Sequence, residues 1–119
     1  MAAPAAVVWD LLVDTERWPA WGPTITEAVV DRGGEGSRIG PDATGQVRTV
    51  VGVRLRFRVR EMDPGRRWTW AVAGIPATGH RVEPLGEDRC RVTFEVPVLA
   101  APYLAVCAVA LRRIERLAS

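Results

Sequence analysis

Between Val53 and Arg60 the chain alternates without a break, with Val53, Leu55, Phe57 and Val59 on one parity and Arg54, Arg56, Arg58 and Arg60 on the other. A period of two places successive side chains on opposite faces of a strand, so this segment reads as antiparallel β-structure buried on one side and wet on the other. That assigns an inside and an outside to whatever pairs with it. After the turn signal Asp63-Pro64-Gly65, Trp68, Trp70 and Val72 alternate with Thr69, Ala71 and Ala73. A loop closed by Met62 and Arg67 sets Val59 opposite Trp70 and Phe57 opposite Val72, which brings both tryptophans to the apolar face.

The same reading extends in both directions. Ile25 to Asp31 and Gln46 to Val51 read as strands, separated by the turn signal Arg32-Gly33-Gly34-Glu35-Gly36 and by Arg38 to Thr44, where the loosest structure is expected. Gly74-Ile75-Pro76 predicts another turn, His80 and Val82 alternate with Arg81 and Glu83, and Leu85 to Asp88 turns again. The last strand, Val92 to Val98, follows Cys90 and points Cys90, Val92, Phe94, Val96 and Val98 inward. Glu27 and Glu61 fall near the inner parity, where a buried carboxylate could act as a base; the plainer expectation is two strand-end groups in water.

Helices flank these strands. Pro4 to Val13 carries Val7, Val8, Leu11 and Leu12 along one face, and Glu16 to Trp18 makes a further turn before the irregular aromatic stretch Trp18-Pro19-Ala20-Trp21-Gly22-Pro23. Those tryptophans should plug one end of the core. From Leu99 to Leu117 the apolar residues Leu104, Cys107, Ala108, Leu111, Ile114, Leu117 and Ala118 recur at helical spacing, with Pro102 near the start. Tyr103, Val106 and Ala110 widen the stripe, so the first half of the helix should be covered on more than one side. The uncharged run from Val96 to Leu111 is shorter than the ~20 residues a bilayer crossing requires, so no membrane span is expected.

The whole is a single expected domain, residues 1–119, of the α+β class: short N-terminal helices, about six meandering antiparallel strands, and a long C-terminal helix. A curved sheet wrapped around one helix leaves space that the helix does not fill, so a cavity is expected. No secretory pattern is present at the N-terminus, and the expected location is cytoplasmic. All sixteen basic residues are arginine, ten of them between residues 48 and 91 against five acids, so an anionic partner has to be weighed. Sheet readers of single strands stack bases on aromatics of the same face, whereas here the aromatics fall on the opposite parity, so no nucleic-acid partner is expected.

Residues 3–14, Ala-Pro-Ala-Ala-Val-Val-Trp-Asp-Leu-Leu-Val-Asp, followed by Trp18-Pro19 and Trp21, resemble the amino-terminal signature of the SRPBCC or START-like helix-grip superfamily, and more narrowly its bacterial polyketide cyclase/dehydrase group. Val59 to Trp70 and Gly79 to Pro84 are similar to its hairpin and following strand. The resemblance implies a sheet gripping the C-terminal helix around a hydrophobic ligand cavity, with no universal catalytic set. The chain departs from the pattern at its start: the usual first strand is missing before Pro4. Either a second copy covers the strand edge left open, as a homodimer, or the start is truncated.

Candidate chemistry follows from these positions. Trp21, Phe57, Trp68, Trp70, Phe94 and Tyr103, with His80 and Cys107, are the candidate ligand-binding residues, the alternative being that the rings simply fill the core. His80, the only histidine, is the candidate general acid or base for a cyclisation or dehydration; the plainer expectation is a hydrogen-bonded structural imidazole. Cys90 and Cys107 are expected as buried free thiols, the alternative being a disulfide if the two elements meet. No metal site and no cofactor are expected, since one histidine cannot build a histidine-rich site and no phosphate-cradling glycine loop occurs. The functional expectation is a protein that holds a small hydrophobic or aromatic molecule, with access near Trp18 to Pro23 and Arg32 to Thr44. The alternatives are a polyketide cyclase/dehydrase using the same cavity and a non-catalytic interaction module working through a strand edge or the arginine face.

Overall fold

The computed structural model describes residues 1–97 and 103–119. Helix α1 (Ala5–Val13) and a short 3-10 turn (Thr15–Arg17) lead into the four-residue α2 (Trp18–Trp21). Six strands follow, β1 (Ile25–Arg32), β2 (Thr44–Thr49), β3 (Arg54–Asp63), β4 (Arg67–Val72), β5 (Ile75–Gly86) and β6 (Arg89–Glu95), and helix α3 (Leu104–Ala118) closes the chain. Each strand pairs antiparallel with the next, so the sheet order is β1-β2-β3-β4-β5-β6. This is the α+β helix-grip arrangement that the patterning and the resemblance predict. The expected helix start at Leu99, Pro102 and the strand end at Val98 lie outside the described residues.

The two tryptophans of α2 act on α1 directly. A helix leaves its last four carbonyls without intrahelical partners. Here Asp10 O accepts from Asp14 N–H, Leu11 O from the Trp21 indole N–H at 2.8 Å, Leu12 O from the Trp18 indole N–H at 2.8 Å, and Val13 O from Ile39 N–H at 2.9 Å. The end of α1 is thereby buried with every carbonyl satisfied. Trp18 then stacks on Trp68 (ring centres 5.6 Å apart) and meets Trp70 edge-on at 5.3 Å and Phe57 at 5.4 Å. Their aromatic rings plug one end of the core, as the sequence predicts.

Several local expectations are corrected. Val59 does face Trp70 and Phe57 does face Val72, but the turn is closed by Asp63 and Arg67, not by Met62 and Arg67; a bulge at Arg60 absorbs the one-residue difference. The β4–β5 turn is Ala73-Gly74, both at positive φ (52° and 78°), and Ile75 and Pro76 already belong to β5. A second bulge in β5, opposite Trp70, shifts the pairing so that Ala71 faces Pro76, while Thr78 and His80, two residues apart, are both buried.

The segment from Arg38 to Thr44 is pinned where loose structure was expected. Thr15 N–H and its hydroxyl both donate to Ser37 O, and Ile39 and Ala43 are buried. Val7 is exposed, because it sits at the edge of the α1 stripe centred on Val8, Leu11 and Leu12.

Helix α3 is also turned from its expected orientation. Its buried positions are Cys107, Ala110 and Ile114, while Leu104, Ala108 and Leu117 of the expected stripe are exposed and Leu111 is half-buried. Tyr103, Leu104 and Val109 show that the first half of the helix is covered on one narrow face only.

The β6 edge has a partner at one point among the described residues. Met1 and Cys90 exchange backbone hydrogen bonds, at 2.8 Å from the terminal ammonium to Cys90 O and 3.1 Å from Cys90 N–H to Met1 O.

Candidate ligand cavity

Strand alternation aims Phe57, Val59, Trp68, Trp70, His80 and Val82 into the concave side, and all six are buried. Around His80 the packing is tight. Trp68 lies against the imidazole with ring centres 4.0 Å apart, and Phe94 meets it edge-on at 4.9 Å. Trp21 approaches both Phe94 and His80. The space left among Trp21, Trp68, His80, Phe94 and Cys107 is about 40 Å³, which is enough for a water or two and too little for an organic ligand.

The hydrogen bonds of this cluster fix the state of His80. Trp68 O only accepts, so the proton sits on His80 Nδ1, 3.3 Å away. His80 Nε2 then accepts from the Thr78 hydroxyl at 3.0 Å, and Thr78 Oγ1 accepts from the Trp70 indole N–H at 3.1 Å. Burial drives the imidazole pKa down to about 3, partly opposed by the Trp68 carbonyl and by the charge of Glu95. His80 is therefore neutral near neutrality, engaged at both nitrogens, and a weak base.

Beyond Trp70 the sheet opens. The inward positions at this end carry Val47, Leu55 and Val72 where the other end carries rings, and a cavity of about 480 Å³ results. Its wall runs from Thr24 and Ile25 of the β1 approach across Val47, Thr49, Leu55, Trp70 and Val72 to Ile75, Pro76, Ala77 and Thr78, and is completed by Tyr103 at the head of α3. Among the described residues no charged side chain lines it. Tyr103 and Trp70 line both spaces, and the Tyr103 hydroxyl lies 2.8 Å from the Thr24 hydroxyl at the shared wall.

The sequence-derived candidates thus divide. Trp21, Trp68, His80, Phe94 and Cys107 surround the small space, Trp70 and Tyr103 border both, and Phe57 borders neither, being packed against Trp18 and Trp70. Sequence reasoning missed Ile25, Val47, Leu55, Val72 and Ile75. The available signal was the absence of aromatics at inward positions on that end of the sheet. Arg32 to Thr44, expected near the way in, borders neither space and instead packs beside the end of α1.

Elsewhere Glu27 and Glu61 are exposed, and Glu61 meets Arg67 at 3.4 Å. Arg67 also holds Glu95 at 2.6 Å, which keeps that carboxyl below its usual range. Cys90 and Cys107 are free and buried, and burial pushes both thiols up. Arg54, Arg56, Arg58 and Arg60 are exposed on the face opposite the aromatics. Among the described residues no cluster of three or more potential metal ligands occurs, and no helix is long and apolar enough to cross a membrane.

Residues 1–117 match the family described as "Polyketide cyclase / dehydrase and lipid transport". A Streptomyces halstedii protein provisionally named a polyketide cyclase is 31% identical over 90 residues, which span 70% of this chain and 68% of that protein. Among solved structures, the Bacillus cereus protein XoxI superposes with a TM-score of 0.72 at 14% identity, covering 99% of this chain and 89% of its own. A Thermobifida fusca protein superposes with a TM-score of 0.65 at 24% identity, covering 96% and 85% respectively. At these identities the structural likeness speaks for the fold alone.

Proposed function

Because the chain belongs to the polyketide cyclase/dehydrase and lipid transport family, we propose that it binds a small, uncharged apolar or aromatic molecule in the larger cavity. The observation that carries this reading is a space of about 480 Å³ whose described wall residues carry no charge. That volume falls in the range of small-molecule sites. Burying an unpaired carboxylate or phosphate there would cost far more than the contacts return, so the wall favours a neutral guest. The hydroxyls of Thr24 and Tyr103 are placed to orient one polar group of it.

Turnover by proton transfer draws no support from His80, whose nitrogens are both occupied and whose basicity is low. Holding a guest requires neither. The test is a fluorescence titration with phenylnaphthylamine, a neutral apolar probe, on the wild type and on Leu55→Trp, which fills the cavity. Saturable one-to-one binding weakened at least about tenfold by the substitution supports the reading. Equal binding by both proteins would defeat it.

A further inference from the structure

Beside the wall of the larger cavity stand apolar side chains that remain exposed among the described residues. Val50, Val51 and Val53 form the tip between β2 and β3 and are 60%, 79% and 51% exposed. Ile75, at the start of β5, is 69% exposed, and Leu104, at the head of α3, is 57% exposed. These belong to one rim. Val50 N–H donates to Thr24 O at 3.0 Å, the Thr24 hydroxyl meets that of Tyr103 at 2.8 Å, Leu104 follows Tyr103 in the chain, and Ile75 lines the same cavity as Tyr103.

The valine tip is backed by charge of one sign. Arg48 and Arg54 are cross-strand partners immediately behind it, both exposed. Among the described residues no carboxylate oxygen lies within 4 Å of either guanidinium; Glu27, the register partner of Arg48 on β1, does not reach it. Like charges set directly opposite each other are unfavourable on a sheet, and so are three valines held in water.

We propose that this rim docks on an anionic lipid bilayer, with Val50, Val51, Ile75 and Leu104 at the boundary between headgroups and acyl chains and Arg48 and Arg54 on lipid phosphates. A bilayer answers both unfavourable features at once: it offers an apolar layer directly behind a layer of negative charge. The rim consists of two separate hairpin tips and a helix start around an opening, which suits a deformable surface better than a rigid one. A nucleic acid would require aromatics beside the arginines for stacking, and Trp68, Trp70 and Phe57 are buried on the other face. Docked this way, the cavity opens toward the bilayer.

The test is co-sedimentation of the full chain with vesicles of equal parts phosphatidylglycerol and phosphatidylcholine, and with vesicles of phosphatidylcholine alone. The wild type should bind the mixed vesicles, bind the neutral ones far less, and release as salt is raised. Val50→Ser with Val51→Ser should lower the partition constant about tenfold. Arg48→Gln and Arg54→Gln should each lower it about fivefold. All these positions are exposed, so the variants should keep the wild-type circular dichroism spectrum and melting temperature. A wild type that stays in the supernatant, or variants that sediment like it, would overturn the proposal. So would a wild-type dimer that the valine substitutions convert to a monomer without vesicle binding, since the rim would then join two copies of the chain. The assay uses no cavity ligand, so its failure and that of the cavity reading are separate results.

Discussion

The imidazole of His80 lies on the indole of Trp68, ring centres 4.0 Å apart and planes 27° from parallel, while its Nδ1–H is aimed at the Trp68 carbonyl. One residue thus supplies both the wall and the hydrogen-bond acceptor that hold the ring neutral. With a folded pKa of about 3 against 6.5 for the free side chain, the unfolded chain takes up a proton that the folded one refuses. The contribution is complete above about pH 6.5 and is lost as pH falls from there toward about 3, at up to ~1.4 kcal/mol per pH unit. Denaturant melts between about pH 6.5 and 5, above most carboxylate titration, should show stability falling with acid, and His80→Phe should flatten that slope. A wild-type slope of zero would contradict a neutral buried imidazole.

Trp18→Phe keeps a ring in place but removes the indole donor to Leu12 O. The Leu12 carbonyl then stays buried without a partner, and the chain should lose about 1–3 kcal/mol, measured by urea unfolding. A Trp18→Phe protein as stable as the wild type would show that this indole does not cap α1.

Gly45 lies between the Val29 carbonyl of β1 and the Phe57 ring, and a Cβ added there would collide with Val29 O and stand 2.7 Å from Phe57 Cζ. Gly45→Ala should therefore destabilise by about 1–3 kcal/mol by pushing apart the β1 backbone and that ring. Gly52→Ala offers a contrast, because its Cβ would meet nothing within 4 Å and its cost comes from a positive φ of 86° alone. Thermal melts that ranked the two in the opposite order would argue against the close approach of Val29 O and Phe57 to Gly45.

Much of this architecture was legible in the residues. The arginine alternation of β3 gave the inside and outside of the sheet, and the turn signal Asp63-Pro64-Gly65 gave the pairing of Val59 with Trp70 and Phe57 with Val72, though not the bulge at Arg60. A bulge adds one residue without breaking the apolar pattern on either side of it, so periodicity alone could not place it. The turn at Ala73-Gly74 was missed because an alanine at positive φ leaves no signal in composition. The helix α3 stripe was misjudged for a different reason: spacing identifies an apolar face, but it does not say which part of that face is seated, and here only Cys107, Ala110 and Ile114 are buried. The site was legible only in part, since aromatic side chains mark where the core is full, and the larger space lies where Val47, Leu55 and Val72 stand in their place.

The location of a bound guest tests the account most directly. Backbone amide spectra recorded with and without phenylnaphthylamine should show shifts at Ile25, Val47, Leu55, Val72, Ile75 and Tyr103, with Phe57 and Val59 little changed. Shifts concentrated on the outer arginine face, or the absence of any shift at saturating probe, would contradict a binding cavity at this end of the sheet.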